Sequence, residues 1–75
     1  MKLTPDALSR SRVIARGRRI RAVRRLVDCY GGKVSKWVKK SGPPFEVRGR
    51  VLERHWYEHP GLGRFEVKVV EVSRS

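Results

Sequence analysis

The stretch FEVRGRVLERHWYEHPGLGRFEVKVV, residues 45–70, decides the fold because it alternates and turns like an antiparallel sheet. Apolar and charged residues alternate from Phe45, and Arg48-Gly49-Arg50 then offers a tight hairpin turn with glycine at the positive-φ position. A second turn, rich in glycine and proline, follows at residues 59–63. The predicted strands of this three-stranded antiparallel meander are residues 45–47, 51–58 and 65–72.

Outward from this stretch, residues 1–42 have a helical pattern. Thr4-Pro5-Asp6 is typical of a helix start, with a helix to about Arg16, where Gly17 interrupts it. Apolar residues at helical spacing predict a second helix over 18–30, capped by Gly31-Gly32, and residues 33–41 predict a third. We therefore expect one α+β domain, residues 1–75, with two to three N-terminal helices (1–42) packed on one face of the meander (43–73).

Charge narrows the class of partner. The 75 residues carry a formal charge of +12, from 13 arginines and 6 lysines against 7 acidic residues. Eight of the arginines lie between Asp6 and Asp28, where no acidic residue separates them. Arginine grips phosphate bidentately, so this run favours nucleic acid over a membrane surface, which would require a longer amphipathic helix. An acidic protein partner fits the same charge.

The sequence gives no indication of a disulfide, a metal site or a membrane segment. Cys29 is the only cysteine, which rules out an internal disulfide, and no histidine–cysteine spacing is typical of a zinc site. We predict no metal and no cofactor. No apolar run is long enough for a transmembrane span and no signal-peptide pattern is present, so we expect no membrane association and a cytoplasmic site of action.

Strand alternation predicts a polar platform on the uncovered face of the sheet. Leu52 and Trp56 would share the core face with Phe65, Val67 and Val69. The opposite, open face would carry the candidate catalytic residues Glu53, His55, Tyr57, Glu66 and Lys68. Arg48 or Arg64 would lie at its rim.

These residue types suit metal-independent RNA cleavage. A base takes the proton of the ribose 2′-hydroxyl, an acid protonates the leaving 5′-oxygen, and a cation stabilises the phosphate. Histidine is the natural base or acid at neutral pH. The same face also fits binding without chemistry, with Tyr57 stacking on an unpaired base.

Several segments together resemble a known toxin family. They are LVDCYGGK (26–33), WVKKS (37–41), HWYE (55–58) and FEVK (65–68). They are similar to the C-terminal modules of bacterial polymorphic toxins of the contact-dependent-inhibition and Rhs kinds. The resemblance implies a barnase–colicin–RelE style ribonuclease fold with RNA across the open sheet, delivery into a target-cell cytoplasm, and an acidic immunity protein or antitoxin. It also implies catalytic or phosphate-holding roles for His55, Tyr57 and Lys68.

The leading prediction is thus a metal-independent endoribonuclease of toxin type acting on cellular RNA. The alternatives are a non-catalytic RNA- or DNA-binding module and an adaptor that docks an acidic protein. The predicted nucleic-acid contacts come from the arginine run, the rim of the sheet and, by resemblance, three lysines. They are Arg18, Arg21, Arg25, Lys33, Lys39, Lys40, Arg48 and Arg64.

Overall fold

The chain forms two helices and a five-stranded antiparallel sheet in the computed structural model, which describes residues 3–74. The elements are α1 (Pro5–Ser9), β1 (Arg12–Arg16), α2 (Val23–Tyr30), β2 (Val38–Ser41), β3 (Phe45–Val47), β4 (Arg50–His59) and β5 (Gly63–Arg74). The predicted α+β class is confirmed. The predicted three-stranded sheet is wrong, because two further strands come from residues expected to be helical; the two helices lie within the predicted two to three.

The C-terminal meander is present as predicted, around the central strand β4. Antiparallel β3 and β5 lie on opposite edges of β4, and β2 continues the β3 edge. Arg48 (φ 51°) and Gly49 (φ 76°) both take positive φ between β3 and β4, as a two-residue turn of type I′ requires. The strands are longer than the alternation indicated, since pairing of β4 with β5 continues to Arg50 and His59.

The strands β1 and β2 correct the helical prediction for residues 1–42. Arg12–Arg16 pairs with β2, and β2 pairs in turn with β4, with Ser41 opposite His55. Val13 and Ile14 are β-branched, and closely spaced arginines repel one another along a helix, so both effects favour the strand. The predicted helix at 33–41 is reduced to one 3₁₀ turn, Val34–Lys36.

Both helices are shorter than predicted, although their caps are confirmed. The Thr4 hydroxyl accepts a hydrogen bond from the Ala7 amide at 3.1 Å, but α1 ends at Ser9 and not at Arg16. The second helix starts at Val23, after a 3₁₀ turn at Gly17–Arg19, and ends at Gly31 with φ 89°. Helix caps depend on a few neighbouring residues, so the sequence predicts them. Helix length depends also on which residues pair in the sheet, and the sequence does not indicate that pairing.

The core lies between α2 and one face of the sheet. Its buried cluster consists of Ile20, Val23, Leu26 and Trp37, and Tyr57 and Phe65 pack against it from the sheet. We call the face that carries Tyr57 the helix face. Trp56 is also buried but lies outside this cluster, on the opposite face by alternation. The predicted core face is therefore wrong: α2 covers the Tyr57 side, and Phe65 does not share a face with Trp56.

A β-bulge explains why alternation misassigned β5. The register pairs His55 with Lys68 but Tyr57 with Phe65, so β5 holds one extra residue there. Glu66 has φ 58°, a value typical of irregular backbone rather than of a strand. The extra residue places Phe65 and Lys68 on the same face although they are three positions apart. Sequence alternation alone puts them on opposite faces.

We expect Gly32→Ala to destabilise the fold by about 3 kcal/mol, since it combines a positive φ with a steric clash. Gly32 has φ 79°, and an added Cβ would lie 2.3 Å from Nε2 of His59. His59 is itself fixed, because Nε2 accepts from the Lys33 amide at 3.1 Å and the ring packs edge-on against Trp37. Urea denaturation followed by tryptophan fluorescence measures the loss.

The matched control for this substitution is Gly61→Ala. Gly61 has φ 84°, but its Cβ would meet no atom within 4 Å. The control isolates the backbone cost, for which we expect about 1 kcal/mol. Equal losses for the two variants would show that the contact with His59 contributes nothing.

Candidate functional site

Ion pairs divide the cations of this chain into two groups. Within residues 3–74, five of the seven carboxylates are in salt bridges with arginine or lysine: Asp6, Glu53, Glu58, Glu66 and Glu71. The cations they neutralise are Arg10, Arg12, Arg25, Lys40, Arg50 and Arg64. Exposed arginines outside these salt bridges are most dense between residues 16 and 24.

The unneutralised arginines line a furrow beside the core. One compartment, of about 560 Å³, is lined by Arg16, Gly17, Arg18, Val34 and Ser35. The next, of about 490 Å³, is lined by Arg18, Ile20, Arg21, Val23, Arg24 and Val34. The two compartments share Arg18 and Val34, and we call them together the arginine furrow. Arg16, Arg18, Arg21 and Arg24 are exposed and have no salt bridge within residues 3–74.

Local backbone structure holds the arginine furrow open. The turns Gly17–Arg19 and Val34–Lys36 contact each other, and the Gly17 amide donates to the Trp37 carbonyl at 2.9 Å. Ile20 and Val23 are anchored in the core, at 2% and 9% exposure. The arginines between and beside these anchors consequently face solvent. The run that sequence reasoning assigned to helices is thus arranged along a strand end, a turn and the start of α2.

A polar cluster surrounds Glu53 on the helix face of the sheet. The Ser41 hydroxyl donates to Oε1 of Glu53 at 2.7 Å, and Nε2 of His55 lies 3.1 Å from the same oxygen. Nη2 of Arg12 lies 3.5 Å from Oε2. The side chains of Glu53 and His55 are only 10% and 14% exposed. The cluster therefore has one nearly enclosed carboxylate with three partners from three strands.

These contacts determine the ionisation of Glu53 and which ring nitrogen of His55 carries a proton. The hydrogen bond from Ser41 lowers the pKa of Glu53, as does the one to His55, and both outweigh the effect of burial. An ionised Glu53 accepts hydrogen bonds only, so the Nε2–H of His55 is the donor. In the neutral form of His55 the lone pair is then on Nδ1, and such an unprotonated ring nitrogen can act as a general base.

Lys68 and Tyr57 lie on the same face as His55, but they differ in how much of each side chain is exposed to solvent. Lys68 is exposed and sits directly opposite His55 in the β4–β5 register. Tyr57 is half-buried against the core cluster, and Nζ of Lys39 lies 5.9 Å from its ring centroid. The structure thus brings His55, Tyr57 and Lys68 to one face, but that face packs against the core around Tyr57 and is not the uncovered face that the sequence predicted.

Glu66 and Arg25 are partners of each other rather than parts of this cluster. Arg25 binds Glu66 through two hydrogen bonds of 2.7 and 2.8 Å, and the Tyr30 hydroxyl donates to Glu66 at 2.8 Å. This clasp joins the β5 bulge to α2. It lowers the pKa of Glu66 to about 2, chiefly through the Arg25 hydrogen bonds, and it raises the pKa of Tyr30. We therefore exclude both Glu66 and Arg25 from the site proposed below.

Glu66→Gln should lower the unfolding free energy by about 1 kcal/mol at pH 7, since it removes one partner of a partly exposed bidentate ion pair. The pKa of Glu66 is depressed from 4.5 in its ordinary state to about 2 in the fold, so its stabilisation is complete above pH 4.5 and is lost as pH falls towards 2. The gap between wild type and variant should close over that range. Chemical denaturation at pH 7, 4 and 2.5 measures it.

The control for the Glu66 prediction is Glu46→Gln. Glu46 is exposed and has no salt bridge within the described part of the chain. It should leave stability unchanged at each pH. A gap between wild type and Glu66→Gln that persists at pH 2.5 would contradict an electrostatic role for the clasp.

The remaining predicted contacts are scattered. Lys40 and Arg64 both pair with Glu58, which also accepts from the Trp56 indole at 3.0 Å, on the face opposite Tyr57. Arg48 is exposed in the β3–β4 turn. Lys33 is exposed in the loop after α2, where its amide holds His59. Of the eight predicted nucleic-acid contacts, only Arg18 and Arg21 lie in the arginine furrow.

Sequence reasoning missed two partners of Glu53, namely Ser41 and Arg12. Both were assigned to helices, and both reach Glu53 only because β1 and β2 join the sheet. Arg16 and Arg24 were part of the arginine run but were not singled out as contacts. The sequence feature that could have identified Arg16 is the glycine that follows it. Gly17 has φ 55° and begins the turn that forms part of the arginine furrow.

Comparisons with protein-family models, with curated proteins and with solved structures find no match for this chain. The toxin-module resemblance therefore stays a prediction. Among residues 3–74, no helix is both long and apolar enough to cross a bilayer. The same residues contain no group of three or more histidine, cysteine, aspartate or glutamate side chains that could hold a metal ion.

Proposed function

We propose that this chain binds RNA through the arginine furrow. The observation that carries the proposal is the continuous line of Arg16, Arg18, Arg21 and Arg24, all exposed and without a salt bridge within the described residues. Five of the seven carboxylates pair with other cations, and none of the salt bridges within residues 3–74 involves these four guanidinium groups. Phosphate is the anion whose geometry suits their planar fork.

The shape of the arginine furrow favours a polyanion strand over a membrane. A membrane-bound amphipathic helix would need an extended apolar side, and α2 has only eight residues, with its apolar side committed to the core. The arginine furrow is concave and lined by cations along its length. This arrangement is typical of electrostatic contact with a nucleic-acid backbone.

The test is the salt dependence of binding to a fluorescein-labelled RNA oligonucleotide, measured by anisotropy. If the four arginines each neutralise one phosphate, the plot of log K against log salt should have a slope of about −3 for a single strand. No binding at low salt would overturn the proposal. Equal affinity for polyglutamate of similar length would instead favour an acidic protein partner.

A second candidate function, metal-independent RNA cleavage, is supported by the His55–Glu53 pair. Neutral His55 presents Nδ1 as a base, and Lys68 on the adjacent strand can neutralise a phosphate. In the proposed step Nδ1 takes the proton of a 2′-hydroxyl, the 2′-oxygen bonds to phosphorus, and the phosphorus–5′-oxygen bond breaks. The proton for the leaving oxygen comes in this proposal from Tyr57 or Lys68, the two other predicted catalytic residues on this face that can donate one. The products are a 2′,3′-cyclic phosphate and a 5′-hydroxyl.

Strand register relates this pair to the arginine furrow. Arg16 lies opposite Val38 of β2, and His55 lies opposite Ser41 of the same strand. Three residues of strand span about 10 Å but place the two positions on opposite faces of β2, so an RNA strand that contacts both has to pass around the β1 edge of the sheet. In this proposal the protein acts as a toxin ribonuclease in a target-cell cytoplasm, and an acidic immunity protein or antitoxin neutralises it by covering the arginine furrow.

A further inference from the structure

The floor of the arginine furrow is apolar, which simple phosphate binding does not require. Ile20 and Val23 line one compartment from the core, and Val34 lines both. Gly17 and Ser35 complete the other compartment, with Ser35 exposed. A surface that contacts only phosphates needs exposed cations and no cleft. An apolar floor beneath a cationic rim instead matches a ligand with an apolar face and an anionic edge.

The dimensions of the compartments match single nucleotides rather than a duplex. Volumes of about 560 and 490 Å³ lie within the range of small-molecule sites, roughly 300–1,000 Å³. Bases in a duplex are stacked inside the helix and present only their edges and the backbone. Unpaired bases can turn outward and stack on guanidinium planes or apolar side chains.

We propose that each compartment holds one unpaired base, with Arg18 between the two bases, so that the domain selects single-stranded over duplex RNA. This inference rests on the proposed RNA-binding function and names its substrate class. Arg16, Arg21 and Arg24 then contact the phosphates on either side of the bases. Ser35 is the one residue with a hydroxyl group among those that line the first compartment, and in this proposal it contacts the base edge.

The experiment compares two fluorescein-labelled probes of about ten nucleotides, a length typical of single-strand sites. One is a single-stranded 2′-O-methyl RNA, which lacks the hydroxyl needed for cleavage, and the other is the same strand in a duplex. Wild type should bind the single strand more tightly, on the order of tenfold. Ser35→Leu, which fills the first compartment without changing charge, should lose most of that preference and leave duplex affinity unchanged.

Ser9→Leu is the matched control, because Ser9 is exposed on α1, away from the arginine furrow. It should bind both probes like wild type, and circular dichroism checks that both variants fold. Equal wild-type affinity for the two probes, or an equal loss on both in Ser35→Leu, would overturn the inference while leaving RNA binding intact. If neither probe binds, the result contradicts both the proposed RNA binding and this inference.

Discussion

Replacing Arg18, Arg21 and Arg24 with glutamine should weaken RNA binding on the order of a hundredfold at 0.1 M salt. These three arginines have no salt bridge within residues 3–74, so the substitutions break no internal pair. Each lost phosphate contact reduces the salt slope by about 0.7 for a single strand, and three reduce it by about 2. The affinities of variant and wild type should therefore converge near 1 M salt. Anisotropy titrations from 0.05 to 0.5 M salt measure both quantities.

The control for this variant carries the same loss of charge elsewhere. Arg10 caps the end of α1, and Arg48 and Arg50 lie at the β3–β4 turn; all three are exposed, and their replacement by glutamine also removes three charges, with the exposed ion pairs of Arg10 and Arg50 lost as well. We expect less than a threefold change in RNA affinity. If this control loses as much affinity as the furrow variant, net charge alone explains binding and the arginine furrow is not a site. Both variants should unfold cooperatively, since neither touches the buried cluster.

The contrast between the two variants depends on where the acidic residues lie. Five carboxylates neutralise cations at the end of α1, on α2 and on four strands, while no carboxylate is among the residues that line the arginine furrow. If the same net charge were spread evenly over the surface, the positive electrostatic potential would be diffuse. Because salt bridges neutralise cations outside the arginine furrow, the positive potential is concentrated in the arginine furrow. A potential concentrated in a cleft attracts an anion more strongly than the same charges spread over the surface.

The meander and the helix caps were predictable because their signals are local. Arg48-Gly49 specifies a tight turn, and Thr4 and Gly31 specify helix ends, through backbone preferences of a few neighbouring residues. The strands β1 and β2 were not predictable in this way. Their residues pair with partners far along the chain, such as Ser41 with His55, and such pairing overrides a weak helical pattern.

The candidate site was predicted only where it did not depend on those strands. Alternation correctly placed Glu53, His55 and Tyr57 on one face, because β4 keeps regular backbone from Glu53 to Tyr57. It failed at Phe65, because the bulge at Glu66 puts Phe65 on the same face as Tyr57, whereas Lys68 and Val69 have the faces that alternation predicts relative to β4. The clasp between Glu66 and Arg25 shows why: the bulge turns that carboxylate towards α2, a contact that no spacing in the sequence indicates.

If the second candidate function holds, His55→Ala should reduce RNA cleavage by a factor of about 10² to 10⁴, the usual contribution of general acid–base catalysis. The assay incubates total RNA with the protein in EDTA and identifies 2′,3′-cyclic phosphate ends on the fragments. Binding to 2′-O-methyl RNA should stay within about twofold of wild type, since His55 is nearly enclosed and contributes little to the phosphate-facing charge. Intact RNA after incubation with the wild-type protein would leave binding as the function.

Glu53→Gln separates a catalytic pair from a structural one. Glutamine keeps the size of Glu53 and can still accept from Ser41, but it removes the negative charge that orients and stabilises a protonated His55. We expect roughly tenfold slower cleavage with unchanged RNA affinity. Glu58→Gln is the matched control, because Glu58 pairs with Lys40 and Arg64 on the opposite face. Equal slowing in the two variants would mean that loss of stability, rather than the charge beside His55, limits the reaction.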